Sequence, residues 1–386
     1  MLVSDYDYDL PERCIAKFPP EERGSTRLLV LDRTTGALRD SYYRDLADFL
    51  SPGDVLILND TRVMQSRLHC ALPDGRKREL VVLEKHGAEP QRVMYRGKLH
   101  EGDTLTIESS HSAALITVAK ILGNGIAEVT SDTPLAELAE HYGTVPLPPY
   151  LHRDATADDK KRYQTVWAKN MGSAAAPTAS LNMTDGLLNR LREKGVIIKY
   201  LTLHVGLGTF LPIRSDKIEE HKMHSEWFHI PEDTITAIRA ATNKQFETVC
   251  GPQSATDDIP DGSCPRSFPH VARVLHGGPP SSATRPEKNL AGSGGRRIVA
   301  LGTTVARTLE YYAQTGKTEG EDDIFIYPGY EFKIVDALIT NFHAPKSTVL
   351  MLASAFAGWG HLKSAYDHAI AEKYNFLSYG DSMLIC

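Results

Sequence analysis

The chain has 386 residues, of which 41% are apolar and 24% charged, with a formal net charge of −6. Those proportions suit a soluble globular protein of two or three domains with a large core, and they exclude one that is basic all over. The five cysteines are scattered and form no CxxC pair, which favours a reduced, cytoplasmic protein over a disulfide framework or a structural zinc site.

The first residues, MLVSDYDYDLPER, are acidic and contain no apolar core segment, so neither a secretory signal nor a basic transit peptide is expected. Residues 55–58 form a compact apolar strand that runs into the polar turn Asn59, Asp60, Thr61, Arg62. From about 67 to 145 the pattern changes to short runs, such as 79–83, 104–108, 115–121 and 126–130, separated by Gly, Asp, Asn and Pro. Closely spaced short strands of this kind predict an all-β module, a small barrel. Between His69 and His100 seven basic residues (Arg76, Lys77, Arg78, Lys85, Arg92, Arg96, Lys98) outnumber four acidic ones. Such a patch can follow a phosphate backbone, although solvated strand faces account for the same charges. The sequence VPLPPY at 145–150 is a stiff way out of the module.

Helical and strand patterns then resume. Thr184 caps a helix with Leu187, Leu188 and Leu191 on one face, Gly195 stops it, and a strand follows over 196–203. His204, Gly206 and Gly208 come next, the glycines permitting close backbone approach, but the third glycine of a dinucleotide fingerprint is missing. In the segment EHKMHSE, His224 and Glu226 lie on one side if the chain is extended, a spacing suited to a proton-transfer pair. A salt bridge explains the pair as well. Zinc is disfavoured because no HExxH motif accompanies it.

Residues 251–295 hold seven prolines and seven glycines with few bulky apolar side chains, the composition of a disordered surface insertion. Beyond it, the strand 298–301 meets Gly302, Thr303 and Thr304 and then a helix bearing Arg307 and Glu310. Free N–H groups and threonine hydroxyls there suit a carboxylate or phosphate, though ordinary capping also uses threonine. Finally, residues 335–340 read as a buried strand delivering Asn341 and His343 to its carboxyl end, with Ser347 capping a helix from Thr348. Ligands of open α/β sheets bind in that position, so both side chains are aimed at solvent or substrate, unless His343 merely bonds a loop carbonyl. The apolar run at 348–360 is too short to span a bilayer.

The expected fold class is α/β: a discontinuous α/β domain over residues 1–67 and 148–386, interrupted by a β-barrel module over 68–147. No P-loop, GxSxG elbow or kinase motif set is present.

Taken in order, STRLLVLDRTTG, PGDVLILNDTRV, VPLPPYL, YQTV, AAPTA, TLHVGLGTF, HKMHSE, GTT with Arg307, IFIYPGYEFKIVDALITNFHAPKST and SYGDSMLI make the chain similar to the S-adenosylmethionine:tRNA ribosyltransferase-isomerase family of queuosine biosynthesis. The resemblance spans nearly everything outside 251–295. It implies an inserted antiparallel barrel, and transfer of the ribosyl part of S-adenosylmethionine to 7-aminomethyl-7-deazaguanine in tRNA, giving epoxyqueuosine, adenine and methionine. It further implies tRNA and S-adenosylmethionine as partners, with S-adenosylmethionine a co-substrate and no resident cofactor, metal or membrane; a monomer is expected. The catalytic residues it points to are His343, or His224 with Glu226, for proton transfer, and Asp60 as partner of the amine or ribose. Arg62, Thr303, Thr304 and Arg307 would meet anionic groups, and Asn59, Lys98, Thr178, His204, Gly206, Gly208 and Asn341 complete the substrate-binding set. The family's APTAGLHFT reads here APTASLNMT, placing Ser180, Asn182 and Met183 where Gly, His and Phe are usual. Its GTTSVR is here GTTVAR and its NDTRVIPARL is NDTRVMQSRL. An alternative is therefore a degenerate paralogue that binds tRNA or S-adenosylmethionine without turnover, or the same transfer to another acceptor.

Overall fold

The computed structural model describes residues 1–83, 91–108, 114–123, 125–206, 213, 215–242 and 296–386. The insertion expected at 251–295 lies outside the described residues, as does Gly208. In chain order the elements are β1 (Arg27–Leu31), β2 (Leu38–Tyr42), β3 (Val55–Asn59), β4 (Thr61–Val63), β5 (Arg67–Ala71), β6 (Lys77–Val82), β7 (Gln91–Arg96), β8 (Thr104–Ile107), β9 (Leu115–Gly123) and β10 (Ile126–Ser131). They continue with α1 (Leu135–Tyr142), α2 (Asp159–Arg162), β11 (Asn170–Ser173), α3 (Asp185–Glu193), β12 (Ile197–Leu203), β13 (Glu226–His229), α4 (Glu232–Thr242), β14 (Ile298–Leu301), α5 (Thr303–Thr315), β15 (Glu319–Asp322), β16 (Ala337–Asn341), α6 (Thr348–Ala357), α7 (Trp359–Ala371) and β17 (Ser382–Ile385).

A nine-stranded mixed sheet has the order β15-β13-β12-β3-β14-β16-β17-β1-β2. Its centre, β12-β3-β14-β16, is parallel, while β16-β17 and the strands at both edges are antiparallel. Helices cover both faces, so the central strands read as unbroken apolar runs. Alternation still sorts their side chains: Val55, Ile57, Ile298 and Ala300 enter the core beneath α4–α7, whereas Leu56, Leu58, Val299 and Leu301 face α3 and residues 43–49. Each fully buried Leu or Ile contributes about 1.5–3 kcal/mol.

The inserted module is a closed six-stranded antiparallel barrel, β10-β7-β6-β5-β8-β9. Leu68, Cys70, Leu80, Val82, Val93, Leu105, Ile116, Val118, Ala127 and Val129 fill it, and α1 plugs one end with Leu135, Leu138 and Ala139. The strand that enters and the chain that leaves are joined to each other: Arg67 and Thr144 exchange both backbone hydrogen bonds, at 3.1 and 2.8 Å. Here Gly143 is obligatory, because a Cβ on it would sit 1.7 Å from the Gln65 carbonyl oxygen.

Candidate active-site cleft

The carboxyl ends of β14 and β16 open into a cleft enclosing about 720 Å³ of space, counted with its open mouth. This is the crevice position in which open α/β sheets bind ligands. Its polar lining comes from separate parts of the chain, namely Thr178, Thr303, Thr304, Thr340, Asn341, His343, Ser347, Tyr150 and Ser378. Gly302 turns the chain from β14 into α5 at φ 103°, a conformation only glycine adopts without strain. The first N–H groups of α5 have no partner within the helix and lie at the cleft wall.

β16 delivers Asn341, whose amide oxygen accepts the Thr178 hydroxyl at 2.9 Å while its Nδ2 donates to the Asp381 carbonyl at 3.4 Å. Two residues on, the His343 backbone is locked, its N–H donating to the Tyr366 hydroxyl at 2.9 Å and its carbonyl accepting from Tyr8. The imidazole Nε2 is 2.9 Å from Thr340 Oγ1. Burial pushes the imidazole pKa from 6.5 down to about 3, so the ring is neutral at pH 7. As the residues suggest, Ser347 caps α6 by accepting the Leu350 N–H at 3.2 Å.

No sequence pattern singles out Tyr150 and Ser378. The two hydroxyls are hydrogen-bonded, and the Ser378 N–H also reaches Tyr150 at 3.3 Å. The loop carrying Ser378 is fixed from behind: Tyr379 donates to Asp159 at 2.6 Å, and Arg153 grips the same carboxylate through two bonds of 2.7 and 2.8 Å. Both residues lie in motifs, VPLPPYL and SYGDSMLI, and a hydroxyl in each is the available signal.

A second group surrounds α5. Arg307 is 5% exposed and lies between Glu226 and Asp322, donating to Glu226 and, from Nε, to Asp322 at 3.3 Å. Glu226 also accepts the Gly206 N–H at 2.7 Å and lies 3.2 Å from His224 Nε2. Burial pushes the Glu226 pKa up, but Arg307 and His224 outweigh it and hold it at about 2. Burial wins at Asp322, which is raised.

The third group sits at the β3–β12 junction. Asn59 is consumed in bonds to the Leu203 carbonyl and to the Thr61 and Leu203 N–H groups. Half-buried Asp60 accepts from Thr202 at 2.7 Å and from Asn170 at 3.1 Å, while Arg62 is exposed. His204 bonds Thr61 at 2.8 Å and stacks on Trp227. None of these four lines the cleft, and Lys98 is an exposed barrel residue. Thr178, Asn341, His343, Thr303 and Thr304 therefore come together, the His224–Glu226–Arg307 cluster with the Gly206 N–H is set beside them, and Asn59, Asp60, Arg62, His204 and Lys98 stand apart.

Of the residues that depart from the family's pattern, Asn182 and Met183 face inward. Met183 is wholly buried in the α3-side core, and Asn182 donates to the Gly380 carbonyl at 3.0 Å and to Ser382 at 3.3 Å. Neither lines the cleft.

Fold and cleft together define an α/β protein, interrupted by a barrel, with a polar-lined cleft at its strand ends. The model of the family described as "Queuosine biosynthesis protein" matches residues 3–251 and 282–385, and the chain belongs to that family. It is 47% identical to the S-adenosylmethionine:tRNA ribosyltransferase-isomerase of Pelodictyon phaeoclathratiforme and 46% identical to that of Chlorobium phaeobacteroides, covering 100% of both chains in each pair. A crystal structure of the S-adenosylmethionine tRNA ribosyltransferase from Thermotoga maritima matches with a TM-score of 0.50 and 28% identity, over 99% of this chain and 100% of that one.

Proposed function

We propose that the protein transfers and isomerises the ribosyl moiety of S-adenosylmethionine onto 7-aminomethyl-7-deazaguanine in tRNA, yielding epoxyqueuosine-tRNA, adenine and methionine. The observation that carries this reading is the 47% identity, over its whole length, to a relative bearing the name of that activity. The sulfonium acidifies the neighbouring C5′ protons, a base can then start the rearrangement, adenine departs with acid assistance, and the aminomethyl nitrogen supplies the nucleophile.

His343 is the imidazole that stands in the cleft. Being neutral, it enters as proton acceptor or uncharged hydrogen-bond partner. The alternative base is His224, held against the ionised Glu226. Thr178 and Asn341 position the substrate, Thr303 and Thr304 meet its anionic groups, and Asp60 with Thr202 and Asn170 forms an acceptor for an amine. S-Adenosylmethionine serves as co-substrate with no resident cofactor, and the protein acts as a cytoplasmic monomer whose barrel and split α/β domain divide RNA holding from chemistry.

Incubation with S-adenosylmethionine and tRNA carrying the 7-aminomethyl base is expected to release adenine, measured by chromatography, whereas tRNA with unmodified guanine gives none. Release that ignores the aminomethyl group, or no release at all, would overturn the reading.

The barrel offers the tRNA contact. Arg96 and Lys98 are exposed around Gly97, and Arg78 braces that turn by donating from Nε to the Lys98 carbonyl at 2.9 Å. Replacing Arg96 and Lys98 with glutamine is expected to weaken tRNA binding and reduce the salt slope of log K by about 1–2, roughly 0.9 for each phosphate no longer neutralised. An unchanged slope would move the RNA surface elsewhere.

A further inference from the structure

A smaller cavity lies behind the main cleft and shares Thr303, Thr304 and Val349 with it. Its other walls are largely apolar, from Ile324, Phe325, Ile326 and Leu352. Two helices begin at the common wall: α5 at Thr303 and α6 at Thr348. Ser347 occupies only the Leu350 N–H, so the N–H groups of Thr348 and Val349 remain outside the α6 ladder, as do those of Thr303 and Thr304 in α5. Two positive helix ends thus converge on one spot. Independently, Thr348 lines this cavity, is only 4% exposed, and its hydroxyl has no hydrogen-bond partner among the described residues. Leaving such a hydroxyl buried and unpaired is unfavourable, and a ligand acceptor would relieve it.

We infer that the smaller cavity receives the methionyl end of S-adenosylmethionine, with its α-carboxylate bound by the Thr348 hydroxyl and the first-turn N–H groups of α5 and α6. The inference rests on the function proposed above and adds a subsite to it. The adenosine portion occupies the main cleft, and the apolar walls suit the methylene chain between the two. Arg307, the cation among the described residues lining the cavity, is held by Glu226 and Asp322, so the attraction for an anion comes mainly from the helix ends.

Calorimetric titration separates the possibilities. Wild-type protein should bind S-adenosylmethionine about 10–100-fold more tightly than its decarboxylated analogue, the range for a hydrogen bond to a charged group. Thr348→Val, which exchanges an unsatisfied hydroxyl for a methyl of the same shape, should keep or raise the melting temperature. It should weaken S-adenosylmethionine by a comparable factor and leave 5′-methylthioadenosine, which has no carboxylate, unchanged; Thr348→Ser should restore affinity. Equal binding of S-adenosylmethionine and its decarboxylated analogue by wild type, or equal weakening of S-adenosylmethionine and 5′-methylthioadenosine by Thr348→Val, would overturn the subsite while leaving the proposed function standing. Failure of the wild type to bind any of these ligands would overturn both.

Discussion

Arg307→Met is expected to cost about 3–5 kcal/mol of stability, the usual consequence of removing one partner from a buried ion cluster. The guanidinium is bound on one side by Glu226 and on the other by Asp322, and all three side chains are almost inaccessible. Without it two carboxylates stay buried with only His224 beside Glu226 to offset them, and desolvation dominates because the main attraction has gone. The denaturant midpoint should fall sharply. Adding Glu226→Gln and Asp322→Asn should recover much of the deficit, since no buried charge then remains. A midpoint equal to that of the unaltered protein would show that water reaches the cluster.

Acid provides a second view of the same groups. Glu226, held at about 2 against an ordinary 4.5, contributes stability that is present above the higher value and lost as pH falls towards the lower. His343 adds to this: between 6.5 and about 3 the unfolded chain binds a proton that the folded one refuses, so stability again declines with falling pH. Asp322, raised by burial, works in the opposite direction.

His343→Ala is expected to reduce turnover by about two to four orders of magnitude if the imidazole transfers a proton, the range for losing a general acid or base. Folding should be spared, because the backbone at 343 is held by Tyr366 and Tyr8 rather than by the ring. Substrate affinity should change only modestly. His224→Ala is the competing test, since a base at that position would make its removal the costlier and reduce His343 to a positioning residue. Single-turnover adenine release measures both, and release at the unaltered rate by the His343 variant would remove that residue from the chemistry.

Much of this cleft is legible in the sequence because β-strand ends followed by polar turns announce it. The runs 298–301 and 335–340 lead directly to Thr303, Thr304, Asn341 and His343, and the caps at Thr184 and Ser347 hold as expected. The strand before Asn341 begins two residues later than the apolar pattern suggests, at Ala337, because Asp336 turns back to accept the Ile298 N–H. The mixed character of the sheet is hidden, since β17 is as apolar as its parallel neighbours and nothing local sets its direction. Tyr150 and Ser378 meet across 228 positions, a pairing no spacing rule reveals. Inward-facing Asn182 and Met183 illustrate the converse: a polar residue beside a motif looks like part of the site until its partners, Gly380 and Ser382, are known.

The paired backbone bonds between Arg67 and Thr144 bear on how the chain acquires its form. They bring the two ends of the barrel excursion as close as the ends of a tight hairpin. The long sequence separation between β3 and β12 then overstates the entropy of uniting them, because the intervening length is gathered into a unit with its own core. Assembly can proceed as two largely local problems joined at a doorway two residues wide.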